Sequence, residues 1–542
     1  MAPSRAPDAL DEKSSQPHAW TIARDAAVDA AIACHDEDAL AKISAQPGGF
    51  GSQSSRRKAW VELLHVDHLA RSNGHDIREP TPDTDTEGVR VFPPHDDEGQ
   101  VGLDTSRSFV TYPKGLSDSD KAAMQEDLHA LIVSVLQRHP KLSYFQGLHD
   151  IMTVLYLTLL TEIPRPRPHV ESHSDEDEET VQDEKKPFKA KGKVMTPEDR
   201  LEWGELVRAA EVVTLCRTRD AMGKGLGPMM GMLRLLRRLL AAADPQLYRI
   251  SASISPVPTL PFFALSWILT LFSHDIDTLE PVQRIFDYLI ARNPISAIYL
   301  AVAILMSKKA QMLKLARDLG PEVTHDPSLL HPLFARLPPL YPDTPDSPFP
   351  PPDFTAGEPA PRDEPNPYTP INLSTVFTLA DGLLIKYPWD GPRIRGQEVF
   401  GPGSVVSTFD KEPRARPRGD NKEPVTSDKD EWDEKQGLDE DAWTLSDAEA
   451  AIDNDVILPG GDAMDDDEVL TVARWSPLTP LSAFVGRVGL GLTSGGKGGM
   501  GLYGFDRLGT AVAVGVVVLG IGAALFGWRR HTDPSWARFW GL

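Results

Sequence analysis

The chain has 542 residues, a formal net charge of -23 and two cysteines, and each figure bears on its function. The acidity argues against a nucleic-acid partner, because binding to phosphate backbones relies on clustered Lys and Arg. Cys34 and Cys216 are too few for a disulfide framework or a cysteine-based zinc site, so both are expected to be buried small side chains. Gly and Pro cluster with charge in stretches without periodic apolar residues, so we expect one large folded domain.

The N-terminal half shows helical patterning after a polar start. Residues 1–19 have mixed charge and no apolar run of the secretory type, so we predict a disordered N-terminus on a cytosolic chain. The folded domain is predicted over residues 20–400. Apolar residues spaced three and four apart predict a helix over 118–139, which Pro140 ends. The apolar run 148–161 is too short to span a bilayer and predicts a buried helix.

Two stretches interrupt the helical pattern. Residues 164–197 hold an acidic block followed by a basic one, and residues 337–370 are rich in proline, so both are predicted to be disordered insertions. No convincing alternating strand pattern occurs, which favours an all-α fold. An acidic, Gly-rich disordered linker is predicted over 401–507. Helical periodicity returns over 202–243, 262–272, 280–313 and 371–389.

Residues 508–528 form the longest apolar run of the chain and contain no ionisable side chain. A helix of that length measures about 31 Å, the thickness of the hydrocarbon core of a bilayer. We therefore predict a single transmembrane helix there, followed by a short tail over 529–542, and weigh a buried core helix as the alternative. Its place near the C-terminus predicts a tail anchor that leaves the preceding domain in the cytosol.

Three short motifs occur in a fixed order. They are R-x-x-x-W at Arg56 and Trp60, V-G-L-D-T-S-R ending at Arg107, and Y-F-Q-G ending at Gly147. In this order they resemble the TBC-domain family of Rab GTPase-activating proteins, with Val101 where the family has Ile. The resemblance extends over roughly residues 45–390 and implies a TBC-type helical domain.

The resemblance also implies roles for these residues. Arg107 would be an arginine finger, since a guanidinium is always charged and its donor fork matches phosphate oxygens. Gln146 would be a glutamine finger that positions the attacking water. Asp104 would pair with or orient Arg107, while Tyr144 and Gly147 would shape the turn that presents Gln146.

Four further side chains receive structural interpretations. Arg56 is expected to form an internal ion pair, and Trp60 to fill the core. His149 and Asp150 are adjacent and invite a metal assignment, but two residues do not make a metal site, so we expect packing and hydrogen bonding.

The resemblance implies a partner and a place in the cell. The partner would be a Rab-family GTPase in its GTP form, which supplies GTP and magnesium, so the chain would need no cofactor of its own. Similarity to the endoplasmic-reticulum-anchored branch of the family implies a location in the endoplasmic reticulum membrane and a role in early secretory traffic. The alternative function is a catalytically inactive membrane-anchored scaffold that binds a Rab or another partner.

Overall fold

The computed structural model describes residues 18–66, 93–160, 197–223, 225–254, 260–351, 354, 366–412 and 445–459. The first helices are α1 (Ala19–Ala33), α2 (Glu37–Ala45), α3 (Gln53–Leu63), α4 (Glu98–Thr105), α5 (Asp118–Arg138) and α6 (Leu148–Leu159). Then follow α7 (Pro197–Val213), a π-helix (Thr214–Thr218), α8 (Gly227–Ala243), α9 (Pro245–Ile254), α10 (Leu265–Leu269), α11 (Leu279–Ile290) and α12 (Ser296–Asp318). The last elements are α13 (Glu322–His325), α14 (His331–Ala335), β1 (Leu340–Tyr341), β2 (Ile371–Asn372), α15 (Leu373–Lys386), α16 (Val405–Thr408) and α17 (Leu445–Ala450).

The described chain is mostly helical, as the sequence predicts. Helix α5 begins after Ser117, whose hydroxyl accepts the Asp120 N–H at 3.1 Å, and it ends just before Pro140. Helix α6 is almost entirely buried, which explains its continuous apolar run. Helix α12 is buried over its first ten residues and packs against α8 and α15, so it lies at the centre of the domain.

The predicted disordered insertion at 337–370 is ordered in its described part. Strand β1 pairs in parallel with β2, with Leu340 opposite Ile371. Leu340 and Tyr368 are both buried. Proline fixes φ and removes a backbone N–H donor, which disfavours helices. A proline-rich chain can still adopt an extended conformation and bury the apolar side chains between its prolines. Composition alone therefore predicts more disorder in this stretch than the structure shows.

The predicted linker over 401–507 also contains ordered segments. Residues 401–412 and 445–459 pack against the π-helix and α8, so the domain continues beyond residue 400. The Glu412 carboxylate accepts from Arg217 at 2.6 Å, and both side chains are buried. Short apolar groups such as Val405–Val406 supply the contact, and an average over a long acidic stretch conceals them.

Two other expectations have different outcomes. Cys34 follows α1 and is exposed, which corrects the expectation of burial, whereas Cys216 is buried as predicted. Within the residues that the structure covers, no helix is both long enough and apolar enough to cross a membrane. The predicted span at 508–528 and most of the insertion at 164–197 lie outside those residues.

Candidate functional site

Arg107 lies in the turn that follows α4. Its backbone N–H donates to the Asp104 carbonyl at 3.0 Å, and the Ser108 N–H donates to the Thr105 carbonyl at 3.0 Å. The chain therefore continues beyond the helix in a tighter turn with defined geometry. The Arg107 side chain is exposed, so a permanent positive charge on an ordered backbone is available to a partner.

Gln146 lies in the loop that leads into α6, and its side chain is also exposed. The next residue, Gly147, has a φ of 115°, a left-handed conformation that favours glycine. A Cβ at this position would lie 2.7 Å from Cγ2 of Thr270, so the close approach to Thr270 also requires glycine. Gly147 thus fixes the point at which the loop enters α6 while leaving Gln146 accessible.

One tyrosine joins the Arg107 segment to the Gln146 loop. The Tyr144 hydroxyl donates to Oδ2 of Asp104 at 3.0 Å, and the Tyr144 N–H donates to the Asp97 carboxylate at 2.8 Å. Gln100 donates to the other Asp104 oxygen at 3.2 Å. The Asp104 side chain is only 4% exposed, so its charge depends on these donors for stabilisation.

The Tyr144 hydroxyl also contacts Nδ1 of His149 at 3.0 Å. A hydroxyl has a single proton, and here that proton is donated to Asp104, so Nδ1–H of His149 donates to the tyrosine oxygen. Burial raises the pKa of Tyr144, and the negative charge of Asp104 raises it further. The hydroxyl therefore remains protonated and keeps its role as donor at neutral pH.

Asp104 does not have the partner that the sequence suggested. Within the described part of the chain, its carboxylate contacts Tyr144, Gln100 and, at 4.0 Å, His149, whereas Arg107 meets it only through the backbone. Asp104 is buried against the Gln146 loop, while the Arg107 side chain is exposed. The acidic residue therefore ties the two segments together and does not neutralise the arginine.

His149 and Asp150 continue this network towards His274, in the segment that follows α10. Nε2 of His149 lies 3.4 Å from Asp150, and Nδ1 of His274 lies 2.8 Å from the other Asp150 oxygen. Among the described residues, no group of three or more His, Cys, Asp or Glu side chains is placed to hold a metal ion. The pair takes part in hydrogen bonding, in line with the interpretation from sequence.

Arg56 and Trp60 lie in a separate buried cluster between α3 and α11. Nε of Arg56 donates to both oxygens of Asp287, at 3.0 and 3.1 Å, and the Trp60 indole N–H donates to the same carboxylate at 2.8 Å. Arg284 contacts Asp287 at 3.2 Å. These residues stabilise the core and have no direct contact with the Tyr144 bridge in the described structure.

Sequence reasoning did not select several residues of this region. Asp97, Gln100 and His274 complete the network. Asp97 and His274 contact residues of other segments, so no spacing in the sequence marks them. Gln100 lies four residues before Asp104 on α4, a spacing at which helical side chains meet, and this spacing could have marked it. Leu103 and Val110 flank Arg107 and are 56% and 70% exposed. An exposed apolar residue cannot be recognised before the helix faces are known.

The chain resembles known proteins in sequence. Residues 211–313 match the family model of the Rab-GTPase-TBC domain. The chain is similar to TBC1 domain family member 20 of Bos taurus, with 25% identity over 287 residues, which is 53% of this chain and 57% of the relative.

Two fungal proteins are also similar. GTPase-activating protein gyp10 of Schizosaccharomyces pombe is 26% identical over 311 residues, which is 56% of this chain and 64% of that protein. GTPase-activating protein GYP8 of Saccharomyces cerevisiae is 28% identical over 246 residues, 45% of this chain and 41% of that protein. The chain thus spans less than two thirds of the length of each of these relatives. These findings support a domain of the Rab-GTPase-TBC family in this chain.

Proposed function

We propose that this chain is a GTPase-activating protein that accelerates GTP hydrolysis by a Rab-family GTPase, with Arg107 and Gln146 as the residues that enter the partner's active site. The observation that carries the proposal is that both side chains are exposed on ordered segments that the Tyr144–Asp104 hydrogen bond holds together. The names of the relatives support the activity, since two of them are GTPase-activating proteins.

The proposed chemistry divides between the two side chains. Negative charge develops on the oxygens of the transferred phosphoryl group, and a guanidinium supplied in trans stabilises it, with an effect of about 10³- to 10⁵-fold on the rate. The Gln146 amide can accept a hydrogen bond from the attacking water and donate one to a phosphate oxygen. The GTPase supplies the nucleotide and its magnesium ion, so this chain contributes no cofactor.

The proposal extends to the location of the protein. The apolar run 508–528 would anchor the chain in a membrane as a single tail anchor, with the TBC domain in the cytosol. Resemblance of the motifs to the endoplasmic-reticulum-anchored branch favours that membrane, and hence a Rab that acts between the endoplasmic reticulum and the Golgi. An epitope-tagged full-length chain is expected at the endoplasmic reticulum membrane, and a chain without residues 508–542 is expected in the cytosol. If both chains have the same distribution between membrane and cytosol, residues 508–542 are not the anchor.

The activity is tested by single-turnover GTP hydrolysis with a panel of purified Rabs and the full-length chain in detergent. We expect at least one Rab to be strongly accelerated, and Arg107→Ala and Gln146→Ala each to remove most of that acceleration. If a Rab binds in its GTP form but none is accelerated, the chain is a scaffold. If acceleration survives both substitutions, other residues carry the reaction.

A further inference from the structure

Only a short helix precedes the turn that carries Arg107. Helix α4 spans Glu98–Thr105, about two turns, and an isolated helix of that length is not stable in water. Its position must therefore come from contacts with neighbouring elements. Helix α5 packs along α4 and supplies such contacts through polar side chains as well as through its apolar face.

Gln125 of α5 contacts the Arg107 turn on both sides of the arginine. Its side-chain amide donates to the Ser106 carbonyl at 2.9 Å and to the Ser108 carbonyl at 3.1 Å. Ser106 is the C-cap of α4 and Ser108 lies beyond the helix, so both carbonyls are outside the hydrogen-bond ladder of α4, and this one NH₂ group satisfies both of them. Because both acceptors are carbonyls, only the amide nitrogen can occupy this position.

The chain immediately beyond this turn is also fixed. Phe109 has a φ of 58°, a left-handed conformation that a non-glycine residue rarely adopts, and its ring packs 5.7 Å from that of Tyr156. The backbone after Arg107 thus turns sharply between the Gln125 amide and a buried aromatic contact. A loss of the Gln125 donors would remove the side-chain contacts to the two carbonyls that bracket Arg107 and leave the turn with the hydrogen bonds of its own residues.

We propose that Gln125 is a positioning residue for the arginine finger: its amide fixes the backbone on both sides of Arg107 so that the guanidinium is held in the orientation that the reaction needs. This inference rests on the proposed function. Gln125 is partly exposed and lies outside the family motifs, so an ordinary role in helix capping is the competing explanation. Capping alone would change stability without a specific effect on turnover.

The test uses isosteric and donor-retaining variants of the full-length chain. Gln125→Glu keeps the size of the side chain but removes both N–H donors, and Gln125→Lys keeps donors within reach of both carbonyls. At a saturating concentration of the chain, Gln125→Glu is expected to lower the rate of GTP hydrolysis about ten- to a hundredfold. A displacement of a catalytic group by about 1 Å produces a loss of this size. Gln125→Lys is expected to retain most of the rate, and affinity for a GTP-locked Rab is expected to stay within about twofold for both variants.

A double-mutant cycle separates the two explanations. If Gln125 acts through Arg107, Gln125→Glu lowers the hydrolysis rate of the Arg107→Ala variant only slightly. It lowers the hydrolysis rate of the Gln146→Ala variant by nearly the same factor as that of the wild type. An equal loss in both backgrounds, or a wild-type rate for Gln125→Glu, would overturn the inference. Failure of the proposed function is distinct from these results, because Arg107→Ala itself would then leave hydrolysis unchanged.

Discussion

The Tyr144 hydroxyl donates a 3.0 Å hydrogen bond to the Asp104 carboxylate, and this contact joins the segment that carries Arg107 to the loop that carries Gln146. In the proposed mechanism Arg107 and Gln146 act on the same phosphoryl group from separate segments, so the two segments must keep one relative geometry. The tyrosine supplies that connection across 40 positions of the sequence. Its hydroxyl is therefore expected to affect catalysis as well as stability.

Tyr144→Phe is expected to lower the rate of GTP hydrolysis at saturating chain by about tenfold or more, because the two segments lose their direct link and small displacements of catalytic groups are costly. It also leaves the buried Asp104 with one donor fewer, which destabilises the domain by about 1–3 kcal/mol. Thermal unfolding and single-turnover hydrolysis measure the two effects separately.

Tyr288→Phe provides the matched control for this substitution. The Tyr288 hydroxyl donates to the Asp381 carboxylate at 2.7 Å, between α11 and α15. Its removal is expected to cost similar stability but to leave turnover by the folded chain unchanged. If both variants reduce turnover equally, the Tyr144 contact has no special link to catalysis.

Leu103 and Val110 are expected to form part of the surface that contacts the GTPase, since they flank Arg107 and are well exposed. Leu103→Ser should raise the concentration of chain needed for half-maximal acceleration about tenfold through the loss of buried apolar area, while the saturating rate stays the same. Leu319→Ser removes another exposed leucine, at the end of α12, and is expected to change neither quantity. A lower saturating rate for Leu103→Ser would contradict this division of roles.

The segments after residue 400 are expected to be required for a stable domain. A chain ending at residue 400 loses Glu412, the buried partner of Arg217, and Ser404, whose hydroxyl donates to the buried Asp220 at 2.6 Å. Breaking one buried ion pair typically costs about 3–5 kcal/mol. A chain ending at residue 469 keeps both contacts, because residue 469 is the last residue of the first compact unit. Thermal unfolding should separate the two truncations, and equal melting temperatures would show that residues 401–469 contribute nothing to the thermal stability of the domain.

The pH dependence of stability should report on Glu211. Burial acts to raise the pKa of Glu211, but the hydrogen bond from His139 at 2.8 Å and the charge of Arg138 outweigh it and leave this pKa below 4.5. A carboxylate whose pKa is lower in the folded state stabilises the fold above its unfolded pKa, and that contribution disappears as pH falls through the folded value. The free energy of unfolding should therefore decline below about pH 4.5.

Glu211→Gln removes the titrating group while keeping the size of the side chain. The difference in free energy of unfolding between the wild type and this variant is expected to shrink as pH falls below about 4.5, because the wild type loses its carboxylate contribution there. Denaturant unfolding from pH 7 to pH 3 measures that difference. A difference independent of pH would show that Glu211 does not contribute through its charge.

Much of the helical fold follows from the sequence. Regular apolar spacing and Pro140 place α5 almost to the residue, and the apolar run 148–161 predicts the buried α6. The pattern over 202–243 predicts helix throughout, whereas the structure has a π-helix within this stretch and a break before α8. Periodicity detects a buried face but not a local change in backbone hydrogen bonding.

Short ordered segments after residue 400 could not be predicted from composition. Their ordering depends on partners far along the chain: Arg219 donates to the Gly403 carbonyl at 2.7 Å and to the Ala448 carbonyl at 3.1 Å. Such long-range contacts leave no local pattern. For the same reason the sequence places Asp104 with Arg107, which is close to it in the chain, whereas the structure pairs the Asp104 side chain with Tyr144.

Single-turnover GTP hydrolysis by a responding Rab, at a saturating concentration of the full-length chain, decides whether Arg107 acts as an arginine finger. Arg107→Ala is expected to lower the accelerated rate by about 10³-fold or more while the variant still binds the GTP-bound Rab. Arg317→Ala, which removes another exposed arginine at the end of α12, should match the wild type. A wild-type rate for Arg107→Ala, with the variant folded and bound, would contradict the arginine-finger mechanism.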